Sequence, residues 1–201
     1  MPTFPYTDAE LLALREKDAV LADYIGRVGR VEREIVPDLF AGLVRSIVAQ
    51  QISSAALRTI LMRMEGLLGE FTPGRVLAAG PEAIQRCGLT MKKAGYIHTA
   101  AERVACGSLD LNALNNLPDE QVIASLVTLP GIGEWTAEML LIFSLCRRDV
   151  LSRKDLGINR GIWRLYGVDD VSNEMFEALR ARYSPYASIA SLYLWDAAKP
   201  V

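Results

Sequence analysis

The sequence predicts an all-α fold, and three observations carry that prediction. Apolar residues recur at three- and four-residue intervals along most of the 201 positions. Capping residues and glycine or proline stops divide these runs into pieces of helical length. No run of alternating β-branched residues is long enough for a strand; Val150-Leu151 is too short to count.

Each element follows from its own residues. Thr7 and Glu10 stand at capping-box spacing ahead of Leu11, Leu12 and Leu14, which predicts a first helix. A second is expected from Asp38 to about Gln50, with Leu39, Leu43, Val44, Ile47 and Val48 on one face. A third starts near Ser53, carries Leu57, Ile60, Leu61, Met64 and Leu68, and is broken by Gly69 and Thr72-Pro73-Gly74. Short helices fit Arg75 to Ala79 and Pro81 to Cys87; a longer one fits Met91 to Ala105, ending at Gly107. Asp119 to Thr128 and Glu134 to Cys146 form a pair joined by Leu129-Pro130-Gly131-Ile132-Gly133. The last third reads as Ile158 to Tyr166, Asn173 to Tyr183 and Pro185 to Ala198. Every connection is short, as compact helical bundles require.

The composition narrows the class. With 51% hydrophobic and 23% charged residues, neither a disordered chain nor a coiled-coil rod is expected. A chain this long buries roughly 70% of its unfolded surface, enough for one domain or two small lobes. Lys and Arg number 22 against 24 Asp and Glu, a net charge of −2. That excludes nucleic-acid binding through bulk positive charge, but not through a local patch. Cys87, Cys106 and Cys146 are too few for a four-thiolate cluster and suit a reducing compartment. The lone histidine, His98, reads as a partly exposed helix residue. The N-terminus lacks a basic-then-apolar signal pattern, and apolar stretches such as Met139 to Phe143 are far short of the roughly 20 residues of a membrane span. A soluble cytoplasmic protein with no membrane association is the expectation.

The segment Leu129 to Ala137 is the most informative. Gly131 and Gly133 permit positive φ and keep side-chain bulk out of the turn. A phosphate could then approach the backbone amides at the positive end of the following helix. The same residues also make an ordinary tight helix–helix turn, and spacing alone leaves both readings open. The helix from Trp135 to Leu145 is apolar nearly all round, so burial at a bundle centre is expected. Asp155, 20 positions after Trp135, precedes another apolar helix start. It is either a helix cap or a catalytic carboxylate, with Arg153 and Lys154 as neighbouring cations or phosphate contacts.

At these residues the sequence resembles the helix-hairpin-helix DNA glycosylase superfamily, and within it the 3-methyladenine DNA glycosylase II branch. Leu129 to Ala137 and Asp155 match its hairpin and catalytic aspartate. Ile47 to Ser53 is similar to the segment carrying the residue inserted into the duplex, and Gly88 to Ala94 to the stretch before the long central helix. The four motifs stand in the family's order and span about residues 37–197.

The resemblance implies a single two-lobed glycosylase unit over 1–201, with double-stranded DNA bound across a central cleft and the damaged nucleotide flipped into it. The lobes are expected as 37–130, with the hairpin 129–133 following, and as 1–36 with 134–201; no N-terminal β-domain is expected. Asp155 takes the catalytic role. Trp135 stands where bifunctional members carry a Schiff-base lysine, and an indole cannot attack C1′, so a monofunctional enzyme follows. Trp135 and Trp195 match pocket aromatics of the family, and Met139, one helical turn beyond Trp135, is a third candidate for the pocket wall; each could also be ordinary core. Gln50, Gln51, Gly131, Ile132, Gly133 and Thr136 are the expected DNA contacts, with Gln51 at the wedge position where a bulky apolar residue is commoner. The backbone carbonyls of Val127, Leu129 and Ile132 would hold a Na+ or K+ ion. No catalytic cofactor and no iron–sulfur cluster are expected, and a monomer suits an enzyme that scans DNA. The predicted substrates are 3-methyladenine and 7-methylguanine, with hypoxanthine and ethenoadenine behind them. The alternatives are the same fold acting on an oxidised purine, or a non-catalytic DNA-binding module.

Overall fold

The computed structural model describes residues 2–199. Among them lie twelve helices: α1 (Asp8–Lys17), α2 (Ala19–Val28), α3 (Leu39–Ala49), α4 (Ser54–Leu68), α5 (Pro73–Arg86), α6 (Met91–Ala105), α7 (Leu111–Leu114), α8 (Asp119–Leu126), α9 (Glu134–Phe143), α10 (Leu156–Tyr166), α11 (Asn173–Tyr183) and α12 (Ala187–Ala197). The one β-bridge among the described residues pairs Thr3 with Glu34, so the all-α expectation holds. None of the helices is long and apolar enough to cross a membrane.

Most predicted helices form where the periodicity put them. The Thr7 hydroxyl accepts from the Glu10 amide at 3.2 Å, and the Glu10 carboxylate accepts from the Thr7 amide at 2.7 Å, closing the capping box of α1. Gly80, at φ +74°, separates the two short helices expected between Arg75 and Cys87 inside α5. Helix α2 has no counterpart in the sequence-based expectations. Asp18 caps it and Leu21 and Ile25 form its buried face, a spacing too short to stand out as a repeat.

The chain divides into two compact units, residues 36–145 and residues 1–35 with 146–201. The expected boundary at 130 is therefore moved: α9 belongs to the internal unit, where it packs on α3 and α8. Gly42 of α3 makes this possible, because a Cβ there would run into the Ser144 hydroxyl and lie 3.3 Å from Leu140. The core of this unit is built on α3, whose Leu43, Val44, Ile47 and Val48 are fully buried and pack with α4, α6 and α9.

In the other unit the helix buried all round is α12, not α9 as the apolar pattern suggested. Its two interior serines are both satisfied: Ser188 donates to the Arg147 carbonyl at 2.6 Å, and Ser191 to the Ala187 carbonyl one turn back at 2.9 Å. Helix α10 meets α12 at backbone distance through Gly161, where an added Cβ would lie 2.7 Å from the Leu194 carbonyl carbon. Asp18 joins four elements of the unit, the first being α1, whose Leu14 carbonyl takes the Asp18 amide at 3.2 Å. Its carboxylate caps α2 through the Leu21 amide at 2.8 Å and accepts from Tyr166 of α10 and Arg182 of α11, each at 2.8 Å. Burial, with the Tyr183 hydroxyl and the Asp18 carboxylate beside it, pushes the Tyr166 phenol far above its ordinary range, so it stays a donor.

Removing one member of such a buried charged network leaves several donors unmatched. Asp18→Ala is expected to lower stability by about 3–5 kcal/mol, read from the urea unfolding midpoint at unchanged slope.

Candidate functional site

Asp155 closes the loop before α10 and is its N-cap. It is 6% exposed, and two donors converge on its Oδ1: the Ile158 amide at 2.8 Å and the Trp195 indole N–H at 2.9 Å. Trp195 reaches it because residue 157 is glycine; a Cβ there would stand 2.8 Å from the indole Cδ1 and 3.1 Å from Asp155 Oδ1. The loop itself is fastened by Asn159, which donates to the carbonyls of Asp155 at 2.7 Å and Arg153 at 3.1 Å. Asn159 escaped the sequence reading, although a polar residue one turn beyond Asp155 on a buried helix face was a signal for it. Asp155 is thus a helix cap and also a buried carboxylate of fixed orientation, so the two sequence readings are compatible.

Of the readings open for Arg153, the reach to a phosphate is not the one its contacts favour. Its guanidinium donates to Asn159 Oδ1 and to the Val171 carbonyl, both at 2.8 Å, and lies over the Phe176 ring. It is a fastener of the loop. Lys154 remains on the surface.

The hairpin lies between α8 and α9. Its two glycines have different jobs, which the sequence did not separate. Gly131 sits at φ +85°, and a Cβ there would collide with the Tyr96 ring of α6. Gly133 has an ordinary φ of −97°, caps α9 without a side chain, and has open space where a Cβ would stand. Gly131 therefore shapes the turn, and Gly133 leaves the start of α9 approachable by a phosphate-sized group. Ile132 is buried, and its amide donates to the Leu129 carbonyl at 3.2 Å. Val127 is exposed, at the C-terminal end of α8.

Trp135, Met139 and Thr136 of α9 meet Ser46, Ala49, Gln50 and Gln51 around a mostly apolar hollow of about 220 Å³. Trp135 is 43% exposed, which departs from the central burial expected of its helix; Thr136 is buried, on the wall rather than on the surface. Gln50 and Gln51 have separated roles. The Gln50 amide donates to the Gly131 carbonyl at 2.7 Å, which ties the α3–α4 turn to the hairpin. Gln51 is exposed and takes φ +54°, a left-handed conformation uncommon outside glycine. Lys93, at the start of α6, donates to the carbonyls of Val48 and Gln50; burial lowers its pKa. Its part was visible only as one residue of a matched stretch. Among the described residues, no group of three or more His, Cys, Asp or Glu could hold a metal ion.

Comparison with known proteins adds four findings. Residues 44–185 match the family described as HhH-GPD superfamily base excision DNA repair protein. DNA-3-methyladenine glycosylase 1 of Schizosaccharomyces pombe is 32% identical over 162 residues, covering 78% of this chain and 71% of that one. The crystal structure of a DNA-3-methyladenine glycosidase from Bacillus halodurans superposes with a TM-score of 0.85 at 36% identity, covering 98% of this chain and 93% of that one. The S. pombe 3-methyladenine DNA glycosylase in complex with abasic DNA gives 0.80 at 29%, covering 94% and 96%.

The two hairpin glycines generate a paired prediction. Gly131→Ala is expected to cost about 1–3 kcal/mol of stability, while Gly133→Ala stays within about 0.5 kcal/mol, both read by urea unfolding.

Proposed function

We infer that this chain, which belongs to the HhH-GPD superfamily of base excision DNA repair proteins, is a monofunctional DNA glycosylase that hydrolyses the N-glycosidic bond of alkylated purines. The observation that carries this reading is the carboxylate of Asp155, buried and pinned through Oδ1 by a helix amide and the Trp195 indole. Substrates of the 3-methyladenine and 7-methylguanine class come first, with hypoxanthine and ethenoadenine behind them. Its relatives' names support the same class.

The chemistry requires little beyond that carboxylate. As the bond from C1′ to the purine nitrogen breaks, its electron pair goes to the base and positive charge builds on the deoxyribose. An anion held in advance near C1′ stabilises this charge without reorganising. Pinning one oxygen of Asp155 orients the other, which can take a proton from the attacking water. An N-alkylated purine that starts cationic leaves as a neutral base, so the site needs no strong general acid. Trp135 has no amine to form an imine with the sugar, and the expected product is an intact abasic site.

The remaining residues take supporting roles. The exposed indole of Trp135 and the thioether of Met139 offer a flat, polarisable wall to an electron-poor base, an attraction of about 1–2 kcal/mol when desolvated. Gly133 admits a DNA phosphate to the backbone at the start of α9, with Ile132 and Gly131 behind it. Gln51 is the wedge that fills the space left by an extruded nucleotide. Trp195 acts on Asp155 rather than on the base. The neutral carbonyls of Val127, Leu129 and Ile132 suit a monovalent cation better than a divalent one, which prefers carboxylates. When bound, such an ion adds positive charge for the phosphate. The catalytic steps use no cofactor.

The reading is tested by incubating the protein with methylated duplex DNA and chromatographing the released bases. Free 3-methyladenine or 7-methylguanine is expected, with strand breaks only after alkali. Asp155→Asn should slow release by about 10²-fold or more while lesion DNA is still bound; release at the parent rate would remove the central assignment. Gly133→Val should weaken binding to damaged and undamaged duplex alike, since phosphates carry no base identity. Loss confined to damaged DNA would show that the hairpin is not a phosphate clamp.

A further inference from the structure

Helix α3 ends without a basic residue in its last turn, yet its carbonyl end is not left to solvent. The Lys93 ammonium comes from another helix to take two of these carbonyls, Val48 at 3.0 Å and Gln50. Its location works against its own helix. Lys93 lies in the first turn of α6, where its amide is bonded to the Thr90 hydroxyl at 3.2 Å and a cation opposes the helix dipole. The same charge is favourably placed against the C-terminal end of α3. One turn on, Tyr96 receives the Gly131 turn of the hairpin against its ring. The Gln50 side chain closes the triangle by donating to the Gly131 carbonyl at 2.7 Å.

Between the two carbonyl anchors and helix α4 stands Gln51, exposed and left-handed. A non-glycine residue keeps such a conformation only when its flanks are held. Here the preceding flank is held by two side chains: Lys93 on its carbonyls and Gln50 on the Gly131 carbonyl. The first two turns of α6 therefore support both devices that would touch the duplex, the insertion turn through Lys93 and the hairpin through Tyr96.

We propose that Lys93 is a positioning residue for base extrusion: it locks the Gln51 turn to the hairpin end of α6, so that grip on phosphates and insertion into the stack are mechanically one operation. Gln50 is the second strut of that lock. Neither residue touches the reacting atoms. The proposal rests on the glycosylase reading for its consequence, but its geometry concerns only the turn.

The test separates extrusion from chemistry. Single-turnover base release is measured on a duplex with one paired N-methylpurine and on the same duplex with that lesion mismatched. A 2-aminopurine beside the lesion reports unstacking. Lys93→Met, with its folding checked by thermal unfolding, should slow release from the paired site about tenfold but from the mismatched site only about twofold, because a mismatch lowers the unpairing cost. The 2-aminopurine signal should fall with it, and affinity for undamaged duplex should stay within about twofold, set by phosphate contacts. Lys93→Arg should recover most of the loss. Gln50→Leu, which leaves the ammonium in place, should give the same split in weaker form. Equal losses on paired and mismatched sites, or a full 2-aminopurine signal in Lys93→Met, overturn the proposal. Should the parent protein release no base, the glycosylase reading fails alone, and the fluorescence comparison still decides the role of Lys93.

Discussion

An α-helix leaves amides at one end and carbonyls at the other without partners of their own. The residues that matter most in this protein stand at such ends. Asp155 satisfies the amides of α10 and thereby becomes a fixed carboxylate. Gly133 starts α9 with no capping side chain. Lys93 supplies the carbonyl end of α3. A chain with net charge −2 has little long-range attraction for a polyanion, so the proposed function assigns the grip on phosphate to the short-range field of a helix end.

Most of the helices were legible because burial writes its period into the chain: Leu43, Val44, Ile47 and Val48 are both the pattern and the core. The hairpin and Asp155 were legible for a different reason, since glycine spacing and a cap before an apolar run are local signals. What escaped was non-local. Which helix would be buried all round depended on neighbours, and α12 rather than α9 takes that place because Gly161 lets α10 come close. Gly131 and Gly133 look alike in sequence and differ only because Tyr96 lies under one of them. Arg153 looked like a cation for a phosphate until Asn159, Val171 and Phe176 converged on it.

Trp135 in one unit and Trp195 in the other show one side chain used in opposite ways. Trp135 lines a mostly apolar hollow and is 43% exposed. Trp195 spends its single N–H on Asp155. An indole combines a broad apolar surface with one donor, so it can line a cavity or steer an anion, and here the backbone decides which. Gly157 under Trp195 is the deciding feature, because any side chain there would displace the ring from the carboxylate.

Gly161 constrains the protein's history as well as its packing. A methyl group at this position meets the carbonyl carbon of Leu194 at 2.7 Å and its Cα at 2.9 Å, atoms present whatever residue stands at 194. No exchange of the neighbouring side chain can compensate, so a suppressor of a Gly161 substitution would have to reposition a whole helix. Helices α10 and α12 carry Asp155 and Trp195 respectively, and such a shift would uncouple the pair. A substitution at Gly161 therefore acts on the crossing of the two helices, and through it on the Asp155–Trp195 pair, rather than on any one neighbouring side chain.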